Sequence, residues 1–176
     1  MKLVVGFLIC VASLALSGAA EAKTLAVGDR FPAWTLPDQT GKPVSSTDLA
    51  GKTYLLWFYP KAMTPGCTAE GQALRDQYAA FQAKGVEIVG VSFDDPAANA
   101  AFVAAEAFPF RLLSDDKRTL AVAVGAADST AQPVARRISY VVGPHGTVVR
   151  VYESVTPAAH AGQVLGDLSQ PAPAGP

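Results

Sequence analysis

The chain has 176 residues, with 14 Lys and Arg against 15 Asp and Glu for a net charge of −1, a length that suits one domain and is too short for two independent cores. No basic block is present, so the electrostatic footprint on which nucleic-acid binding depends is missing and nucleic acid is not an expected partner. Half of the residues are hydrophobic and 16% are charged, which excludes disorder as the global state.

At the N-terminus, Lys2 precedes an apolar run from Leu3 to Leu16, followed by Ser17, Gly18 and the small-x-small site Ala20-Glu21-Ala22. This is the form of a signal peptide, expected to be cleaved after residue 22. At ~1.5 Å per residue the run reaches roughly 21 Å, short of the ~30 Å hydrocarbon core, although its flank brings it near the limit and an uncleaved anchor stays as the alternative. The chain is thus expected to be exported, periplasmic or secreted, without stable membrane association. Cleavage discards Cys10 and leaves Cys67 alone in a compartment where disulfides form. An intramolecular disulfide is then impossible. The choice for Cys67 lies between a reactive thiol, a cross-link between chains and a small hydrophobe in the core.

Residues 24 to 50 carry turn signals at Gly28-Asp29, Pro37-Asp38 and Gly41-Lys42-Pro43 between short apolar pieces, which predicts an N-terminal hairpin or extended arm. The continuous aromatic-rich run from Tyr54 to Tyr59 predicts a central strand buried on both faces, stopped by Pro60. From Thr68 the pattern turns helical, with Leu74, Tyr78 and Phe81 on one face and Gly85 closing the segment. Val86 to Ser92 predicts a second buried strand, parallel to the first across the helical crossover.

A helix is expected over Pro96 to Glu106, a short strand over Phe110 to Leu113, a helical turn over Thr119 to Val124 and a loop over Gly125 to Gln132. Arg137 to Val142 and Thr147 to Val155 are joined by Gly143-Pro144-His145-Gly146, a hairpin signal. A last helix near Ala159 to Leu168 closes a domain spanning 23–170, and the Pro/Ala tail 171–176 is expected to be disordered. The fold class is α/β: a mixed sheet, parallel crossover strands first and an antiparallel hairpin at the end, flanked by helices.

Thr64-Pro65-Gly66-Cys67 follows the buried strand and opens the helix, so the thiol falls in the first turn, where backbone N–H groups lack intrahelical partners. A free thiol with pKa ~8.5 is only about 3% ionised at pH 7, and a value near ~6 raises that to about 90%. The difference is roughly 3.4 kcal/mol, and a helix terminus supplies at most ~2, so a cation must supply the remainder. Lys61, Arg136 and Arg137 are candidates, and spacing alone favours none of them.

Pro60-Lys61-Ala62-Met63-Thr64-Pro65-Gly66-Cys67 resembles the Pro-x-x-x-Thr-x-x-Cys motif of peroxiredoxins. Phe58-Tyr59-Pro60-Lys61 and Thr64 to Thr68 look like the Q-type, bacterioferritin-comigratory subgroup, and the likeness runs through Leu112-Leu113-Ser114-Asp115 and Arg137-Ile138-Ser139-Tyr140. The resemblance implies a thioredoxin-like fold and reduction of hydrogen peroxide and organic hydroperoxides, with no metal or organic cofactor. It implies that Cys67 is the peroxidatic nucleophile, Thr64 hydrogen-bonds the peroxide oxygens, Pro60 shields the thiolate, Arg137 stabilises it together with the departing oxygen, and Glu70 orients that arginine. Period-2 alternation sends Arg137 and Arg136 to opposite faces, so only one of them can point at the site; Arg136 as the active one remains open.

Many Q-type members carry a resolving cysteine five residues after the peroxidatic one; here that position is Gln72. The resemblance therefore implies a one-cysteine cycle with an external thiol reductant, thioredoxin-, glutaredoxin- or glutathione-like, in a monomer or weak dimer. The alternatives are a thioredoxin-like thiol-disulfide exchange protein, handicapped because Thr64 stands where Cys-x-x-Cys begins with its attacking cysteine, and a non-enzymatic binding domain with a buried thiol. His145 and His160 do not have zinc-site spacing. Asp94-Asp95 and Asp115-Asp116 read as turn and cap residues, and Trp34 and Trp57 as core.

Overall fold

The structure is a computed structural model that describes residues 23–170, so the expected signal peptide and the 171–176 tail lie outside the described residues. The N-terminal hairpin pairs β1 (Thr35–Pro37) with β2 (Pro43–Ser45) in antiparallel register, Leu36 opposite Val44. Its turn is closed by Asp38, whose carboxylate accepts from the Thr40 and Lys42 amides and the Thr40 hydroxyl. Then come β3 (Thr53–Phe58), α1 (Pro65–Asp76), α2 (Tyr78–Ala83), β4 (Val86–Ser92), α3 (Pro96–Glu106), β5 (Arg111–Ser114) and α4 (Thr119–Ala123). The hairpin of β6 (Ile138–Val142) and β7 (Val148–Tyr152) precedes α5 (His160–Asp167).

The main sheet has the order β5-β4-β3-β6-β7. β3, β4 and β5 run parallel, and β6 and β7 are antiparallel additions. β3 is central because every residue from Tyr54 to Phe58 is buried, as an apolar run without alternation requires. Its side chains alternate between two cores. Tyr54, Leu56 and Phe58 join Phe31, Val91, Leu113 and Tyr140 on one face. Leu55 and Trp57 join Leu74, Phe81, Phe102 and Val164, contributed by α1, α2, α3 and α5, on the other. Cys67 belongs to this second core.

The continuity of this helix and the length of the late strands differ from expectation. The helix opens as the motif implied, with Pro65 in its first turn, where a missing N–H costs nothing, but it is not the one piece expected through Phe81. It breaks at Gln77 (φ −104°, ψ 10°), because α1 seats against α3 and α5 whereas α2 lies on β4. The late strands are shorter than expected: Arg137 lies just ahead of β6, and β7 ends at Tyr152.

The N-terminal arm spans both sheet edges. Gly28 N–H donates to Val148 O (2.8 Å) and Val148 N–H to Asp29 O (2.9 Å), while Phe31 N–H reaches Gly146 O (2.9 Å). At the opposite edge Asp38 bridges to Leu113, and Gln39 Oε1 accepts from the Leu112 amide at 3.2 Å.

Candidate active site

β3 delivers the chain to a tight loop at Pro60 to Thr64. Asp94, beyond the end of β4, accepts from the Ala62 amide at 2.8 Å, and the Thr64 hydroxyl donates to Lys61 O at 2.9 Å. Between them Met63 adopts φ 62°, a left-handed conformation uncommon for a residue with a side chain. Thr64 is the N-cap of α1 in extended geometry (φ −86°, ψ 148°) and makes no side-chain capping bond. The first-turn amides at Gly66 and Cys67 thus receive no capping oxygen and retain their partial positive charge.

Cys67 is completely buried. Arg137 Nη2 donates to its Sγ at 3.4 Å, and Arg137 Nη1 pairs with Glu70 Oε2 one helical turn beyond the thiol. Of the three cation candidates, Arg137 is therefore the one at the thiol. Lys61 is exposed. Arg136 turns the other way, onto Gly125 O (3.0 Å) and Asp128 (2.6 Å). The opposite-face expectation holds although both residues precede the strand. Gly66 leaves room for the guanidinium: a Cβ there would lie 3.2 Å from Arg137 Nη2. Pro60 is half-buried at the loop's start, and beside it opens a pocket of about 280 Å³ lined by Pro60, Lys61, Phe93, Arg118 and Val134.

Burial pushes the Glu70 carboxyl up from the usual carboxylate range, and Arg137 opposes that rise. Burial works against the Arg137 charge, but Glu70 and Cys67 overcome it and hold the guanidinium above its ordinary pKa. The indole N–H of Trp57 also favours the Glu70 carboxylate, although the two form no well-aligned hydrogen bond.

His160 is the residue that the reading of the sequence passed over, weighing it only as a zinc ligand. Its fully buried ring has Nε2 3.0 Å from Ser139 Oγ and 3.9 Å from Glu70 Oε1. Burial, and then the Arg137 charge, press its pKa down to about 4. Val164, one turn along α5, shares its buried side, an i, i+4 signal present in the sequence. Among the described residues no cluster of three His, Cys, Asp or Glu side chains could hold a metal ion, and no helix is long and apolar enough to cross a membrane.

A thioredoxin-like sheet that presents one buried thiol in the first turn of a helix, against an ion-paired guanidinium, defines a thiol-dependent redox protein. Residues 27–151 match the AhpC/TSA family. The chain is 38% identical over 151 residues to a putative peroxiredoxin of Mycobacterium tuberculosis, covering 82% of this chain and 96% of the relative. It is 34% identical over 152 residues to peroxiredoxin Bcp of Escherichia coli, covering 83% and 97%. Its 37% identity over 135 residues to the chloroplastic peroxiredoxin Q of Gentiana triflora covers 76% of this chain and 62% of that longer relative. Among solved structures, peroxidoxin BcpB of Mycobacterium tuberculosis superposes with a TM-score of 0.77 at 33% identity, covering 82% of this chain and 97% of that one. The bacterioferritin comigratory protein of Xanthomonas campestris gives 0.74 at 29%, with the same coverages. The chain belongs to the AhpC/TSA family and, within it, is a peroxiredoxin of the Q/Bcp kind, a thiol-dependent peroxidase. The exchange-protein alternative is not favoured.

Proposed function

We propose that Cys67 is the peroxidatic cysteine of a one-cysteine cycle. The observation that carries this reading is the Arg137 guanidinium 3.4 Å from Sγ, itself fixed by buried Glu70. The thiolate attacks the terminal peroxide oxygen: an S–O bond forms, the O–O bond breaks, and the departing oxygen leaves as water or an alcohol once protonated. Cys67 is then a sulfenic acid. Arg137 and the uncapped amides of α1 stabilise both the thiolate and the charge developing on the leaving oxygen. Thr64 hydrogen-bonds the peroxide, and Pro60 shields the thiolate from water.

An external thiol attacks the sulfenic sulfur, releasing water and leaving a mixed disulfide. A second thiol restores Cys67. Gln72 supplies no resolving sulfur; its amide instead donates to Glu106 at 2.8 Å. The Xanthomonas relative is described by its alkyl peroxide reduction activity, and organic hydroperoxides join hydrogen peroxide as the substrates proposed here. The reductant is a thioredoxin-, glutaredoxin- or glutathione-like thiol, and the protein works after export as a monomer or weak dimer.

The test is peroxide consumption by the chain beginning at Lys23. Cys67→Ser should abolish it and leave the fold intact, and intact mass after one equivalent of peroxide should show one added oxygen or a mixed-disulfide adduct. Residual activity above a few per cent in that variant, or quantitative disulfide dimers through Cys67, would overturn the one-cysteine cycle.

A further inference from the structure

Behind the line from Cys67 through Arg137 to Glu70 lies a second layer of buried polar atoms that the proposed chemistry does not use. Glu70 commits Oε2 to Arg137, whereas Oε1 is buried with no hydrogen-bond partner. The atom facing Oε1 from α5 is His160 Nε2, at 3.9 Å, and the same nitrogen lies 3.0 Å from Ser139 Oγ. Nδ1 of the ring is buried and unpartnered, and the Tyr152 ring packs edge-on against the imidazole at 5.2 Å. The charged groups around His160 are thus Glu70 on α1 and Arg137 ahead of β6, with the Tyr152 phenol on β7.

A carboxylate oxygen repels an imidazole lone pair, so an ionised Glu70 selects the tautomer with hydrogen on Nε2, which donates to Ser139 Oγ at 3.0 Å while its positive end faces Glu70 Oε1 across 3.9 Å. A neutral imidazole suits this place: a second cation here would compete with Arg137 for the same carboxylate. Ser139 is two residues beyond Arg137, and period-2 geometry sends both side chains to the α1 side of the sheet, where Trp57 stands opposite Ser139 on β3. His160 therefore holds the arginine's support from two sides, through the inner oxygen of Glu70 and through the stretch of β6 that follows Arg137.

We propose that His160 is a positioning residue for Arg137: with Ser139 it fixes the Glu70 carboxylate so that the guanidinium stays on Cys67. The inference rests on Cys67 as the reactive thiol, and two readouts separate the two claims. Peroxide consumption tests the nucleophile. The pH profile of Cys67 alkylation by iodoacetamide needs no peroxidase activity and reports the thiolate alone.

His160→Leu should move the alkylation profile about one unit to higher pH, which slows alkylation about tenfold on the acidic side of the profile, where each unit is a tenfold loss of thiolate, and slows peroxide attack at pH 7 about twofold. His160→Gln, which keeps an N–H at a similar reach, should recover most of both. In a Glu70→Gln background His160→Leu should add less than about twofold to the alkylation loss, since residues acting through one another are not additive. Equal losses in the Leu and Gln variants, an unmoved alkylation profile in His160→Leu, or full additivity with Glu70→Gln would each overturn the inference. If circular dichroism shows that His160→Leu does not fold, Ser139→Ala, which removes a single oxygen, carries the same alkylation test: a profile displaced to higher pH supports the inference, and an unmoved one overturns it. A wild-type chain that alkylates at low pH and consumes no peroxide would defeat the nucleophile assignment and leave the positioning role to the alkylation profiles.

Discussion

Arg136 and Arg137 are adjacent in sequence and do unrelated work. Arg137 is half-buried between a thiol and a buried carboxylate, whereas Arg136 is exposed and salt-bridged to a still more exposed Asp128. An exposed pair is worth ~0–1 kcal/mol, and removing one partner of a buried pair typically costs ~3–5. Arg137→Ala should therefore slow peroxide attack by at least about a hundredfold, since ~2.7 kcal/mol of lost transition-state stabilisation already gives that factor, and should destabilise the fold by leaving Glu70 unpaired. Arg136→Ala should change the rate less than about twofold. Stopped-flow rates and urea midpoints on the two variants check this, and the reverse ranking would refute the assignment.

His160 gives a pH-dependent stability at the same scale. Folded, it titrates at about 4, against 6.5 when unfolded. Between those values the unfolded chain binds a proton that the folded chain refuses, so its contribution is complete above about pH 6.5 and is lost as the pH falls toward 4, up to roughly 3 kcal/mol. Glu70 works in the opposite sense. Burial raises its folded pKa, so its contribution is complete below the unfolded value of 4.5 and declines as the pH rises through the folded value. His160→Gln removes the first effect and leaves the second. Urea midpoints measured from pH 7 to 4.5 should fall with acid in the parent chain and be flatter in the variant.

At the scale of elements, α1 is held in place by its contacts with the region around α3. A Cβ on Gly71 would stand 2.3 Å from Phe108 Cζ, and that ring is wedged against Phe102 (4.9 Å) and stacked on Phe110 (5.0 Å). Two polar contacts reinforce the seat, Gln72 to Glu106 and Arg75 Nη1 to Glu106 O, both at 2.8 Å. Helix propensity favours alanine over glycine by about 1 kcal/mol. Overpacking a locked aromatic site costs about 1–3, and with so short an approach the clash wins. Gly71→Ala should lower the thermal midpoint, as calorimetry can measure, and displace the turn that carries Cys67 and Glu70. The sequence made the start of this element legible, because Pro and Gly before a cysteine read as a first turn. It did not make the break at Gln77 legible, because that break comes from two helical pieces choosing different seats, and no local pattern encodes a seat.

Across the whole molecule the sheet was readable from hydrophobic runs: β3 and β4 are buried on both faces, and Gly143 to Gly146 turn the chain between β6 and β7. The thiol and its helix were readable as a motif with a spacing. Which cation reaches the thiol was left open by spacing, because Arg137 and Cys67 are 70 positions apart and only the fold joins them. The layer behind Glu70 is farther still from any local signal. It needs α5 to return across α1 after the last hairpin, and a lone histidine at a helix start has no periodic partner that announces the carboxylate it will face.

The arm over residues 28 to 39 has a consequence for how these molecules behave toward one another. A sheet of this order ends in β5 and β7, and an unguarded outer strand is a template onto which another chain can add its own strand. Residues 28 to 31 occupy the outer side of the β7 hairpin, while Asp38 and Gln39 occupy that of β5. One short stretch of chain thus lies along both flanks, and losing the part ahead of Ala33 would uncover the β7 flank and take Phe31 from the core while leaving the contacts at β5 in place. A chain beginning at Ala33 should scatter light increasingly with concentration and show intermolecular strand pairing in its infrared amide band, whereas the chain beginning at Lys23 should stay clear at the same concentrations. Equal clarity in both would mean that β7 resists polymerisation without its cover.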